Sequence, residues 1–394
     1  MPQRYQNTKI YKDLNIGNHF LCPRIKLIFS LLLVFLSLNA FSQDGSKIFV
    51  SDEPFEPKAT GILSFEINNL NFFKNNEYKS EYVDGYTLTG TWIRPKFLFY
   101  PDTKLRLELG GQVLSYNGRD DYKLYPWFSV LYMPTKHLSF RMGNLNQDQN
   151  HGLSEPLLDS EHFLKEKPEA GFQAKFKNKR LKADLWIDWQ KMIFQGDPYK
   201  ERFTFGTVTE LTLFKTDKQK LSLPLTFNGM HEGGEIDNAP GLAKTHIAIS
   251  EGLKYNFKTI GSLIKSWSLE GIFLQSSYPL NETALPGRHG NGFFFRASFV
   301  SDYGRFTPGF WQGNKFYTPL GMPLFQNSAI GQPFATNPNR LWTFSYLYDR
   351  KIFDQSKFGF TFDLFYNPAS QKISNSAALY LMVNLSVLLK RSAS

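Results

Sequence analysis

Cysteine is almost missing from this chain: Cys22 is the only one in 394 residues. A single thiol excludes a disulfide framework and any cysteine-rich zinc module. Long apolar runs are equally scarce. A helix that crosses a membrane needs about 20 consecutive apolar residues, and one run alone, from Lys26 to Ala40, approaches that length. Charged residues make only 20% of the chain and are interspersed, with no block of one sign. That pattern excludes the basic stripe of a nucleic-acid binder, so no nucleic-acid partner is expected. Motifs of soluble catalysis are also missing: there is no Gly-x-Ser-x-Gly elbow, no His-Glu-x-x-His and no Gly-x-x-x-x-Gly-Lys. No catalytic residue, metal or cofactor is expected, and the chain reads as a non-enzyme.

What is present is aromatic and apolar material. Phe, Tyr and Trp reach 16% and the hydrophobic set 42%, too much for a disordered chain. The Lys26–Ala40 run, preceded by Arg24 and followed by Ala40-Phe41-Ser42, has the layout of an export leader cleaved before Gln43. Residues 1–42 are thus expected to be a signal peptide, on a start codon that the long stretch before Arg24 leaves open. Removing them takes Cys22 away. It also removes five basic residues and one acidic one, lowering the net charge from +10 to +6.

Beyond residue 61 the dominant signal is period two. Leu105, Leu107 and Leu109 alternate with Lys104, Arg106 and Glu108; Phe358, Phe360, Phe362 and Leu364 alternate with Gly359, Thr361 and Asp363. Successive side chains on a strand point to opposite faces, so each stretch has an apolar and a polar side. About sixteen such segments occur between 61 and 390, many longer than a globular strand. Tight turn chemistry (Pro101-Asp102-Thr103, Pro134-Thr135-Lys136, Asn178-Lys179-Arg180, Thr216-Asp217-Lys218) alternates with longer connections near 74–85, 146–168, 192–201, 231–242, 277–290, 314–339 and 367–376. Aromatics crowd segment ends, among them Phe97, Phe99, Tyr100, Trp127, Tyr132, Trp189, Trp311, Trp342 and Tyr346, as interfacial girdles would require. The expected fold class is all-β: a closed antiparallel transmembrane β-barrel of about 16 strands, with short periplasmic turns and long outer loops. Residues 43–60 form a short periplasmic segment, 61–390 the barrel and 391–394 a tail.

Leader, alternating segments and short/long connections together resemble a bacterial outer-membrane porin, and the Ser42-Gln43 junction resembles leaders common in Bacteroidetes. The resemblance covers 43–390 as architecture, without a family-specific motif. It departs from the usual barrel at its end, where Lys390-Arg391-Ser392-Ala393-Ser394 follows the last apolar strand instead of a terminal aromatic. It implies an outer-membrane location, outer-membrane lipid and small hydrophilic solutes as partners, and association into homo-oligomers. Alternation assigns Arg94, Arg106, Glu108, Arg141, Lys182, Asp184, Asp188, Arg296 and Arg340 to the lumen, a basic-leaning set that predicts a weak anion preference. Loop 146–168 carries Asp148, Glu155, Asp159 and Glu161 beside Leu153, Leu157, Leu158, Phe163 and Leu164. Its apolar content predicts an inward fold and a constriction, with its acids facing Arg106, Arg141 or Arg296. Loop 314–339, rich in Pro, Gly and aromatics, either presents rings to a solute or packs on itself. The alternatives kept open are a structural or secretion-associated barrel with a closed lumen, and a barrel-embedded hydrolase, for which His246 and Ser250 share one strand face but lie too far apart to pair.

Overall fold

The computed structural model describes residues 60–146, 151–259, 263–277, 289–328 and 337–390. The expected leader (1–42), residues 43–59 of the expected 43–60 segment, Asp148 and the 391–394 tail lie outside the described residues.

Sixteen strands run in chain order: β1 Ile62–Lys79, β2 Asp84–Asp102, β3 Leu105–Tyr116, β4 Tyr122–Thr135, β5 Leu138–Asn144, β6 Ala170–Lys177, β7 Leu181–Lys191 and β8 Glu201–Lys215, then β9 Gln219–Gly233, β10 Lys244–Lys258, β11 Ile264–Ser277, β12 His289–Ser301, β13 Gly304–Asn314, β14 Asn339–Phe353, β15 Ser356–Asn367 and β16 Lys372–Lys390. Each strand pairs antiparallel with its sequence neighbours, and β1 closes on β16. Closure leaves no unpaired edge, the condition a sheet must meet in hydrocarbon, where backbone groups find no water. The connections alternate as expected, but two of the long ones are shorter than the sequence suggests. β1 and β2 extend to Lys79 and Asp84, and β15 and β16 to Asn367 and Lys372; continued ladder pairing absorbs residues that read as loop.

The outer surface is a belt of exposed apolar side chains, including Phe97, Leu109, Phe128, Leu185, Phe227, Leu253, Phe293 and Leu381. A water-soluble protein does not expose so continuous a patch; lipid is the medium that fits it. Tyr132, Trp189 and Trp342 face this belt, each more than a third exposed. Three expected girdle residues do not. Trp127, Trp311 and Tyr100 point into the lumen and are buried there, because their strand parity is that of Ser129, Gly309 and Leu98, not that of the lipid-facing residues beside them. Arg340, assigned to the lumen by alternation, is instead exposed on the outer face beside Gln312.

Candidate functional site

The lumen is occupied from the long-loop end by two connections. The first joins β5 to β6. Gly143 starts it: at φ +93°, with Phe128 O 2.2 Å from where a Cβ would stand, only glycine fits. Gln173 on β6 then holds the departing chain, accepting from Asn146 N at 3.1 Å and donating to Asn146 O at 3.0 Å. At His151 and Gly152 the backbone enters the left-handed region (φ 57° and 82°), an uncommon conformation for a non-glycine residue. The His151 ring explains the arrangement. It stacks on Trp186 of β7 at 4.0 Å, with Nδ1 3.1 Å from Asp184 and Nε2 2.7 Å from Glu169. Both ring nitrogens face carboxylates, so the imidazole donates twice and carries a charge. Burial pulls its pKa down, but Glu169 and Asp184 outweigh that and hold it up at about 9. Burial in turn raises the Glu169 carboxyl, and His151 overcomes it, so Glu169 sits below the ordinary range.

From there the loop crosses the barrel. Glu155 meets Arg296 of β12 at 3.0 Å, and Arg296 also holds Glu270 of β11, which Lys254 of β10 approaches at 3.6 Å. The Asp159 amide donates to Leu320 O at 2.7 Å. Glu161 is 1% exposed and bridges Lys74 of β1 at 2.9 Å and Lys165 at 3.1 Å, while Asn76 donates to it at 2.8 Å. Burial pushes the Glu161 carboxyl up, but Lys74 and Lys165 more than offset it and keep it well below the usual carboxylate range. A single turn, α1 (His162–Lys165), buries Leu164 against Leu70, Phe72, Leu114, Tyr380 and Met382, and Tyr116 donates to Leu164 O at 2.9 Å. One loop thus touches β1, β3, β7 and β12. That fold needs its apolar residues, because a purely polar loop would give up solvation for little in return.

The second connection, after β13, packs on the first. Phe316, Tyr317, Met322, Leu324 and Phe325 are buried around Trp311, with Leu157 of the first loop in the same cluster. Thr318 donates to Pro156 O at 2.6 Å and Met322 N to Glu155 O at 2.9 Å. His246 Nε2 lies 3.0 Å from Tyr317 O. Of the two readings of this loop, ring presentation and self-packing, the placement matches self-packing: Phe316 and Phe325 are at most 1% exposed.

Around these two loops the remaining expected residues sort by height. Near the short-turn end, Glu108 gathers Arg106 at 2.7 Å, Arg141 at 3.0 Å and Lys96 at 3.6 Å, and accepts from Trp127 Nε1 at 3.1 Å. Arg94 lies 3.8 Å over the Trp127 ring and donates to Gln112. Asp188 accepts from Ala170 N at 2.8 Å, fixing where β6 begins. Lys182 sits opposite Glu210 in the β7–β8 register. The loop acids therefore meet Arg296 and Lys74, whereas Arg106 and Arg141 belong to Glu108. Glu270 faces inward, as alternation expects, whereas Trp127, expected in the girdle, lies inside against Glu108 and Arg94; Lys74 was not singled out from sequence, and only the folded loop gives it its partner Glu161. Toward the short-turn end of β10–β15 the inward residues Ser250, Lys254, Glu270, Ser298, Thr307, Ser345 and Asp363 are half-exposed, forming a polar vestibule below the loops.

A closed barrel with a lipid-facing belt, a polar vestibule and an inward-folded loop is an outer-membrane β-barrel of porin-like architecture. By sequence the chain belongs to the Lipid A 3'-O-deacylase-type family, whose model matches residues 55–392. No curated protein matches the sequence. Among solved structures, it is similar to OprD from Pseudomonas aeruginosa (10% identity, TM-score 0.49, covering 86% of this chain and 100% of that one). It is also similar to OccAB1 from Acinetobacter baumannii (11% identity, TM-score 0.47, 84% and 99%). The trimer form of OmpT from Vibrio cholerae is a third (8% identity, TM-score 0.47, 83% and 100%).

Proposed function

We propose that this protein is an outer-membrane channel for small hydrophilic solutes, narrowed by the loop between β5 and β6 and weakly anion-preferring. The observation that carries the reading is the Glu155–Arg296 contact at the head of the polar vestibule. It brings an acidic residue of the inward-folded loop against a wall that carries Arg296 and Lys254, the charge arrangement of a transverse field across a lumen. The anion preference rests on the inner wall of β1–β5, where Arg94, Lys96, Arg106 and Arg141 gather around Glu66 and Glu108 and leave a basic surplus among the described residues. Planar-bilayer recording tests both parts. A steady open level with a reversal potential on the anion side, and a larger conductance in Glu155→Ala, are expected. A reversal potential at zero or on the cation side removes the anion preference. The absence of any open level replaces the channel by a barrel with a closed lumen.

A second reading is favoured by the family match over 55–392: cleavage of an acyl ester of lipid A. A glycolipid held in the outer leaflet reaches the outer wall of the barrel, not its lumen, so the reacting groups would face lipid. Fatty-acid release from lipid A vesicles by the purified protein tests it.

A further inference from the structure

The apolar belt is broken on β1 and β2 by a patch of uncharged polar side chains. The stretch of β1 from Leu63 to Phe73 has the length that a tilted strand needs to cross the hydrocarbon, about 9–11 residues. Its outward side chains are Leu63, Phe65, Ile67, Asn69, Asn71 and Phe73, of parity opposite to that of the buried Leu70 and Phe72. Asn69 and Asn71 therefore lie within the belt. Their cross-strand neighbours are Val383 and Leu381 on β16, and Ile93 and Thr91 on β2. The polar members form a short chain of hydrogen bonds. Thr91 Oγ1 donates to Leu70 O at 3.2 Å, and Asn69 Nδ2 donates to Thr91 Oγ1 and to Trp92 O, each at 3.0 Å. Asn71 Nδ2 then donates to Asn69 Oδ1 at 2.7 Å. Both N–H groups of Asn69 are thus used, and the chain ends at Asn71, which is exposed. The carbonyl oxygen of Asn71 and its second N–H have no hydrogen-bond partner among the described residues. Water would satisfy both, but hydrocarbon offers neither donor nor acceptor.

We propose that the outer wall of β1 and β2 is the interface of a homodimer, with a two-fold axis along the membrane normal passing beside Asn71. The inference is independent of both functional readings. Two copies inserted in the same sense hold Asn71 at the same depth, so a two-fold axis brings the patch against itself. A primary carboxamide is self-complementary: an N–H of each Asn71 donates to Oδ1 of the other, and both leftover groups are satisfied at once. Two carboxylates or two ammonium groups could not pair in this way, and Asn69, Asn71 and Thr91 carry neither. Around this centre Phe73, Ile93, Leu379 and Leu381 are exposed and close the contact with apolar side chains. Apolar contact alone would select no face, because lipid tails are as apolar as leucine; hydrogen bonds between the copies are what distinguish this wall from the rest of the belt.

Sedimentation of the full-length barrel in mild detergent micelles reads the association, and heat-modifiable migration on gels confirms that each variant has folded. Wild type is expected to sediment as a dimer. Asn71→Leu stays folded and raises the dimer dissociation constant about tenfold or more, the effect of losing hydrogen bonds between membrane segments. Glu251→Leu, which takes a polar group from the same belt on the opposite wall, leaves the constant unchanged. In phosphatidylcholine vesicles, a short bismaleimide links Phe73→Cys copies made in a Cys22→Ser background. It does not link Ile249→Cys copies, and adding Asn71→Leu to Phe73→Cys lowers the linked fraction. A wild type that sediments as a monomer or a trimer overturns the proposal. So does a dimer whose dissociation constant is the same in Asn71→Leu, or one that is weakened by Glu251→Leu and links through Ile249→Cys instead.

Discussion

His151 offers the sharpest test of how the lumen is organised. Its ring is buried between Glu169 and Asp184 and stacked on Trp186. Because the folded protein raises its pKa from 6.5 to about 9, protonated His151 favours the docked loop. The contribution is fully present below pH 6.5 and is lost as pH rises through about 9; the shift is equivalent to about 3 kcal/mol. His151→Gln removes the charge and leaves two buried carboxylates facing each other, at a cost of about 3–5 kcal/mol for a broken buried pair. The assay is Trp186 fluorescence of the barrel in detergent micelles between pH 5 and 11, taken as the difference from Trp186→Phe. A transition centred near pH 9 is expected in the wild type and none in His151→Gln. In the same variant, amides between 151 and 166 exchange with deuterium at least about a hundredfold faster, the rate equivalent of about 3 kcal/mol. A transition near pH 6.5 would refute the reasoning, because it describes an imidazole in water with no carboxylate partner. Unchanged amide exchange in His151→Gln would refute it too.

Three further perturbations probe the rest of the barrel. Acid leaves the loop docked down to about pH 4 in hydrogen-exchange experiments. Glu161 is ionised far below the ordinary range by Lys74 and Lys165, so its contribution is present above the usual carboxylate pKa and is lost only as pH falls through the lowered value. Gly292→Ala on β12 places a Cβ 2.1 Å from the Trp311 ring, and overpacking of about 1–3 kcal/mol is expected in a urea titration of the barrel in lipid. Glu251 faces outward between Ile249 and Leu253, opposite Leu225 and Phe273. Glu251→Leu is expected to raise stability by about 1 kcal/mol in the same titration, since carboxylates on the lipid face cost less than the 2–4 kcal/mol of a central lysine or arginine. A loss of stability would mean that Glu251 has a partner outside the barrel.

The barrel itself was legible in the chain because its cause is local. Lipid on one side and polar groups on the other impose period two on every strand, so Leu105, Leu107 and Leu109 against Arg106 and Glu108 already say which side is which. Sixteen segments and their alternating connections follow from counting, and all sixteen form strands. The apolar residues of loop 146–168 likewise pointed inward, and Leu157 and Leu164 are buried there.

Partner choice was not legible, because it depends on residues far apart in sequence that closure brings together. His151 meets Asp184 33 positions away, and Glu155 meets Arg296 141 positions away. Glu108 takes Arg106 and Arg141, leaving the loop acids to Lys74 and Arg296. Trp127 and Trp311 read as girdle residues because aromatics near strand ends look alike from either face; a single step of parity separates lipid from lumen. The sequence alone therefore determines that the chain spans a membrane as a barrel and which side chains each face can offer. The tertiary structure decides which of them meet, because in a closed sheet the neighbours of a side chain are fixed by register and by the path of the loops, and neither is written in a local pattern.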